Sequence, residues 1–258
     1  MKTTTQTIRQ LKGKRPIVVL TAYDFITAQL ATEAGVDMIL VGDSLGNTAL
    51  GYESTIPVTV DAMLHHCAAV ARAKPSALLM CDVPFAVAGH STDYLLDVCT
   101  RLLQVGGAEC VKIEGGKLIA EKCASVAQAG IPVMGHIGLK PQDVLQLGGY
   151  RKFGKSAAER QILIDEARAW EQSGAFALLM EMMDFETAAA VTEAISIPTI
   201  GIGAGQGTDG QVLVISDALG LNAGKYPGFA KKFVDLRSIA VEALAQYATE
   251  VRERKFPE

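Results

Sequence analysis

Residues 78–82 read LLMCD, and the same pattern recurs as LTAYD at 20–24, ILVGD at 39–43, VKIE at 111–114 and LLME at 178–181. Each apolar run stops on an acid, and a helical segment follows each one. A short continuous apolar run reads as a parallel strand buried on both faces. A carboxylate at the end of such a strand is costly to desolvate unless it is paired or bound to a metal. One acid of this kind decides nothing. Several, on successive βα units, point to a convergent polar site at one end of a sheet or barrel.

Working outward, strand-like runs cover 16–24, 37–44, 77–84, 110–116, 132–139, 177–183, 198–205 and 211–220. Helical patterns separate most of them. ITAQLATEAG ends on Gly35, placed as the glycine just past a helix. Thr59 precedes an amphipathic run with Asp61 in its first turn, and Ser91 is an N-cap candidate for the next helix. DLRSIAVEALAQYATEVRERK closes the chain as a long helix. Alternating strands and helices imply parallel pairing with right-handed crossovers. The fold expected is α/β, a (βα)8 TIM barrel, with residues 1–258 forming a single barrel domain plus a C-terminal helix. The 258 residues lie near the ~250 typical of that barrel. A doubly wound open sheet is the rival, but it wants a phosphate loop after its first strand, and TAYDF is no glycine loop.

The formal charge of −4 gives no electrostatic footprint for nucleic acid. The five cysteines, Cys67, Cys81, Cys99, Cys110 and Cys123, are odd in number and show no CxxC spacing. They read as buried free thiols of a reducing compartment. The opening MKTTTQTIRQLKGKRP has no apolar h-region, and no stretch approaches the ~20 apolar residues of a membrane span. A soluble cytoplasmic protein without membrane or nucleic-acid partners is expected.

Asp43, Asp82 and Glu114 end three consecutive strands, which lie about 4.8 Å apart in a sheet. Their carboxylates can converge on one ion, directly or through water, and oxygen-only ligation suits Mg²⁺. Any one of them alone would more naturally cap a helix; three on neighbouring strands favour the metal. Lys112 lies two residues before Glu114, on the same face of its strand. It is read as an anion-binding ammonium, a Schiff-base lysine or the partner of Glu114 in a structural ion pair; the adjacent acids favour the charged form. Glu181, set against LLM and MM opposite the acid cluster, is a general-base candidate. His136, in GHIG, is either a site residue or a hydrogen-bonded interior histidine. His65 and His66 are adjacent on a helix and face different ways, so they read as surface or packing residues.

Two connections, 44–58 and 140–156, are too long for plain βα turns and are expected to cover the active face. Within the second, GYRKFGKS (149–156) fits the phosphate-loop pattern letter for letter. The preceding DVLQLG is a poor strand and five βα units come first, so a basic loop over the active face is the preferred reading. GIGAG (201–205) would serve either a phosphate or close packing at the barrel top.

Taken together, TAYD, LVGDSLGNTALGYESTIPVT, CDVPF, VKIEGG, PVMGHIGLKPQ, IPTIGIGAG, TDGQVLVISDALG and PGFAKKF resemble the ketopantoate hydroxymethyltransferase family over residues 20–233. The resemblance implies a barrel of the phosphoenolpyruvate-mutase type. It implies hydroxymethyl transfer from 5,10-methylenetetrahydrofolate, as co-substrate, to 3-methyl-2-oxobutanoate by way of a metal-stabilised enolate. The product is 2-dehydropantoate, in pantothenate biosynthesis. It also implies one Mg²⁺ per subunit and a homodecamer. By position, Asp43, Asp82 and Glu114 match the family's metal-site acids. Ser44 and Lys112 match its 2-oxoacid-binding residues, with Asp43, Asp82 and His136 also facing the substrate, and Glu181 matches its proton acceptor. Two stretches depart from the usual pattern: EMMD (181–184) where ECVP is common, and GGYRKFGK (148–155) where the loop resembles GGYKVQGR. The alternatives are a metal-dependent lyase or mutase acting on another 2-oxoacid, and a non-catalytic barrel that binds or assembles.

Overall fold

The buried apolar runs pair with one another in chain order. The computed structural model describes residues 2–224 and 226–257. The strands are β1 (Ile17–Thr21), β2 (Met38–Val41), β3 (Leu78–Asp82), β4 (Cys110–Glu114), β5 (Val133–Gly138), β6 (Ala177–Glu181), β7 (Thr199–Ile202) and β8 (Gly210–Leu213). They form a closed barrel in the order β1 to β8, with parallel pairing throughout the registered pairs. The expected (βα)8 architecture is therefore present.

The larger helices of the barrel are α1 (Thr5–Leu11), α2 (Phe25–Glu33), α4 (Val60–Ala71), α5 (Thr92–Gln104), α6 (Lys117–Gln128), α8 (Ala157–Gln172) and α9 (Phe185–Ala194). Four-residue turns of helix, α3 (Leu45–Thr48) and α7 (Val144–Leu147), sit inside the two long connections. The capping signals read from the sequence hold: Thr59 accepts from Ala62 N at 3.2 Å and Ser91 from Tyr94 N at 3.3 Å. Gly35 takes a left-handed φ of 76° just past α2, as a C′ glycine should.

Contacts divide the chain into two compact units, Met1–Val212 and Leu213–Glu258. The second holds α10 (Ile215–Ala218) and α11 (Leu236–Arg252). Residues 215–218 had read as the end of the eighth strand. They turn instead into helix, with Asp217 N and Ala218 N both donating to Val214 O at 3.0 Å and Asn222 Nδ2 bonding Asp217 Oδ1 at 2.6 Å. The seventh strand is also shorter than its apolar run. It ends at Ile202 because Gly203 and Gly205 turn to φ values of 61° and 79°.

α1 was not foreseen, since TQTIRQL offers only two apolar residues. Thr4 and Thr7 close a reciprocal capping box at its start. Its Ile8 is fully buried in a cluster with Ile17, Met38, Leu78, Cys110, Met134, Phe176 and Val212. The helix therefore seals the amino-terminal end of the barrel. Lys12 finishes the seal by bonding Asp209 at 2.8 Å.

β5 is packed at Gly135 by Trp170 of α8, which is completely buried and donates Nε1–H to Gly115 O at 2.8 Å. A Cβ at Gly135 would overlap the indole ring. Gly135→Ala is accordingly expected to lower unfolding stability by about 1–3 kcal/mol, the usual cost of overpacking a filled core. Urea denaturation followed by Trp170 fluorescence measures it, and an unchanged midpoint would show that the ring moves aside freely.

Candidate active site

Register brings the polar side chains to one rim. Asp82 pairs with Lys112 across β3 and β4, Glu114 with His136 across β4 and β5, and Gly138 with Glu181 across β5 and β6. Lys112 and Glu114 alternate with Val111 and Ile113, so both face the interior. Asp43 and Ser44 follow β2 after Gly42. Asp43, Asp82, Lys112, Glu114 and His136 are all buried, with exposures of 8% or less, while Ser44 and Glu181 are partly open.

A line of polar contacts crosses four strand ends. Lys112 Nζ lies 3.1 Å from Asp82 Oδ1, 3.9 Å from Glu114 Oε1 and 3.1 Å from His136 Nδ1. The principal ion pair of Lys112 is thus with Asp82, not with Glu114 as the sequence spacing had suggested. His136 Nδ1 lies 3.4 Å from Glu114 Oε1, and Nε2 lies 3.4 Å from Glu181 Oε2. An ammonium only donates, so when the imidazole is neutral Nδ1 accepts from Lys112 and the ring proton sits on Nε2, facing Glu181.

The electrostatics follow from burial set against these neighbours. Burial alone would lower the Lys112 pKa, but Asp82, Glu114 and Asp43 outweigh it and raise the ammonium well into its charged range. This argues against a Schiff-base lysine. Burial, reinforced by Asp82 and Glu114, raises the Asp43 carboxyl. Burial also raises Asp82, with Lys112 and the Asp43 amide opposing. For Glu114 burial is overcome by His136, Lys112 and the Gln142 amide, and its pKa is lowered. Burial and Lys112 disfavour imidazolium at His136, and Glu114 with Glu181 more than offset them.

Asp82 Oδ1 and Glu114 Oε1 are buried and meet their neighbours as charge contacts rather than in hydrogen-bond geometry, with Lys112 Nζ at 3.1 Å and His136 Nδ1 at 3.4 Å. Two such carboxylate oxygens beside Asp43 suit a hard dication. Among the described residues no three His, Cys, Asp or Glu side chains are gathered closely enough to hold an ion by themselves. An all-oxygen donor set is the kind that Mg²⁺ takes, with water completing its shell.

Three residues stand outside the expected cluster or were missed. Asp24, the first of the acids that end apolar runs, is exposed. It caps α2, accepting from Thr27 N at 2.8 Å. Gln142, in the single turn Pro141–Asp143, donates Nε2 to Asp43 Oδ2 at 2.8 Å and to Val83 O at 3.0 Å. Its backbone N donates to Glu114 Oε2 at 3.1 Å. Tyr23 is the third, meeting Ser44 Oγ through its hydroxyl at 2.8 Å.

The phosphate-loop pattern does not make a phosphate cradle. Gly154 N and Lys155 N both donate to Glu159 Oε2, at 3.0 and 3.2 Å, so the loop's own helix fills the anion position. In GIGAG, Gly205 lies against the Phe185 ring, which favours the close-packing reading. The five cysteines are all free and buried. His65 and His66 meet edge to face with centroids 5.5 Å apart, and His66 Nδ1 pairs with Tyr23 O at 2.6 Å, consistent with packing roles. No described helix is long and apolar enough to cross a membrane.

The ketopantoate hydroxymethyltransferase family model matches residues 2–258. A 3-methyl-2-oxobutanoate hydroxymethyltransferase of Caldivirga maquilingensis is 51% identical over 256 residues, covering 99% of this chain and 96% of the relative. Relatives of the same name from Dehalococcoides mccartyi and Geobacillus thermodenitrificans are 48% and 46% identical over 258 residues, each covering 100% of this chain and 92% of the relative. Among solved structures, 2,3-dimethylmalate lyase, a PEP mutase/isocitrate lyase superfamily member, aligns with a TM-score of 0.61 at 16% identity, over 100% of this chain and 90% of that one. Phosphonopyruvate hydrolase in complex with oxalate and Mg²⁺ aligns with a TM-score of 0.65 at 15% identity, over 97% and 88%. At such identities these two establish the fold alone.

Lys112→Met removes the only ammonium among the acids and leaves carboxylates buried without compensation. The expected loss is about 3–5 kcal/mol at neutral pH. Burial already raises Asp43 and Asp82, so as pH falls they take up protons and cease to need the cation. The deficit should therefore be largest at pH 8 and shrink toward pH 5. Urea denaturation at the two pH values checks this, and a pH-independent deficit would contradict it.

Proposed function

The chain belongs to the ketopantoate hydroxymethyltransferase family, enzymes that hydroxymethylate 3-methyl-2-oxobutanoate; from that premise we propose a mechanism in which these rim residues enolise the oxoacid and add the one-carbon unit of 5,10-methylenetetrahydrofolate. The observation that carries the proposal is the continuous line Asp82–Lys112–His136–Glu181, with Asp43 and Glu114 bridged by Gln142 beside it.

Asp43, Asp82 and Glu114 would hold a divalent cation, Mg²⁺ by the chemistry of an all-oxygen donor set. The bound dication supplies Lewis acidity, polarising the keto oxygen and favouring the enolate. Lys112 balances the oxoacid carboxylate, and Ser44, held by Tyr23, donates its hydroxyl toward it. Glu181 accepts the proton from C3. The Nε2 edge of His136 faces Glu181 at 3.4 Å and orients that carboxylate. The enolate carbon then bonds to the folate methylene, tetrahydrofolate departs and water supplies the hydroxyl, giving 2-dehydropantoate. The alternative of a lyase or mutase on another 2-oxoacid wants a reactive cysteine in a mouth loop. The five cysteines here are buried within α4, β3, α5, β4 and α6.

Family membership also supports a homodecamer in the cytoplasm. α11 buries none of its residues and exposes Ile239, Val241, Leu244 and Tyr247, apolar area that another copy would cover. Sedimentation velocity should find a large assembly; a monomer would contradict that part.

The decisive measurement is deuterium exchange from solvent into C3 of 3-methyl-2-oxobutanoate. Wild-type protein should exchange with Mg²⁺ and lose exchange on chelation. Glu181→Gln should slow it by ~10²–10⁴-fold, the usual contribution of a general base. Near-normal exchange in that variant would remove Glu181 from the role, and exchange indifferent to chelation would remove the metal.

A further inference from the structure

We propose that Gln142 is a positioning residue that decides which oxygens of Asp43 and Glu114 face the barrel mouth, and thereby sets the affinity of the site for a divalent cation. The inference rests on the metal reading above and adds a residue to it.

Each of the three acids has one oxygen held by an amide N–H. Asp82 Oδ2 accepts from Asp43 N at 3.0 Å. Asp43 Oδ2 accepts from Gln142 Nε2 at 2.8 Å, and Glu114 Oε2 from Gln142 N at 3.1 Å. Gln142 thus supplies two of the three restraints. The other oxygens of two of these carboxylates, Asp82 Oδ1 and Glu114 Oε1, are buried outside hydrogen-bond geometry and face Lys112 and His136.

The orientation of the amide is not interchangeable. Nε2 meets two acceptors, Asp43 Oδ2 and Val83 O. A flipped amide would set oxygen against both, so the assignment follows from the bonding pattern. Both amide hydrogens are used, and the side chain is locked. The turn that carries it begins at Pro141 and is tied by Lys140 to Asp143 at 2.7 Å.

A neutral donor suits this task better than a cation. An amide N–H fixes a carboxylate oxygen without cancelling its charge, whereas a second ammonium would compete with the ion. Groups that orient the ligands of a metal typically change its affinity by about 10–100-fold when removed.

The test uses Gln142→Met, which keeps length and volume but carries no side-chain donor, and Gln142→Ala as a second variant should the first fail to fold. Metal-free wild-type and variant proteins are titrated with Mn²⁺ by calorimetry, and thermal midpoints are measured without metal. The expected result is Mn²⁺ affinity about 10–100-fold weaker in the variant, a metal-free midpoint close to wild type, and a raised KM for the oxoacid with the folate KM unchanged. Equal Mn²⁺ affinity in wild type and variant would overturn the positioning role while leaving the metal reading intact. A lowered metal-free midpoint with unchanged affinity would show a structural residue only and would also overturn it. Absence of Mn²⁺ binding by wild type would sink the metal reading and this proposal together.

Discussion

An ammonium buried among carboxylates is the constraint on which the barrel mouth depends. Lys112 is 4% exposed and stays charged only because Asp82, Glu114 and Asp43 surround it. The dependence is mutual, since the carboxylates are buried too and one ammonium cannot balance three of them. The remaining negative charge is what makes the mouth suitable for a dication. His136 links this cluster to Glu181, so the acids and Glu181 are neighbours through one imidazole.

Much of this was legible in the chain. The eight strands stood out because a parallel strand buried on both faces is a nearly pure apolar run, and its end is marked where a polar side chain appears. The acids at 43, 82 and 114 were legible for the same reason. Lys112 was found from its two-residue spacing to Glu114, though its closer partner, Asp82, depends on inter-strand register, which no local pattern records. Asp24 followed the same rule as the others and was misleading, because β1 ends at Thr21 and the extra residues place Asp24 at a helix start. α1 was missed because two apolar residues carry too little periodicity to register. Gln142 was missed because a neutral amide in a loop has no signature; only its position one residue past Pro141, just after β5, hinted that it turns back toward the strand ends.

The two stretches that depart from the family pattern meet in space. Phe153 bridges Met183, with Phe153 N donating to Met182 O at 2.8 Å and Asp184 N to Phe153 O at 2.7 Å. The basic loop and the segment after Glu181 are therefore one packed feature. Met182 takes a φ of 48°, uncommon for a residue with a side chain. Its own N donates to Ile202 O, and the carbonyl of the preceding Glu181 accepts from Leu139 N, each at 2.9 Å. The strained residue is tolerated because the neighbouring strands over-determine its place. The backbone of Glu181 is thus placed by its register with β5 and β7.

The seal made by α1 bears on how the chain acquires its shape. Lys12 meets Asp209 across 197 positions, and Ile8 shares its cluster with Val212. α1 packs against strands drawn from the whole ring, so its seat is complete only once the last strand is in place. Docking of so distant a pair carries a large loop-closure cost and favours slow, late completion. Closure of the amino-terminal end of the barrel is therefore expected late in folding, and apolar strand ends left open until then invite association with other chains.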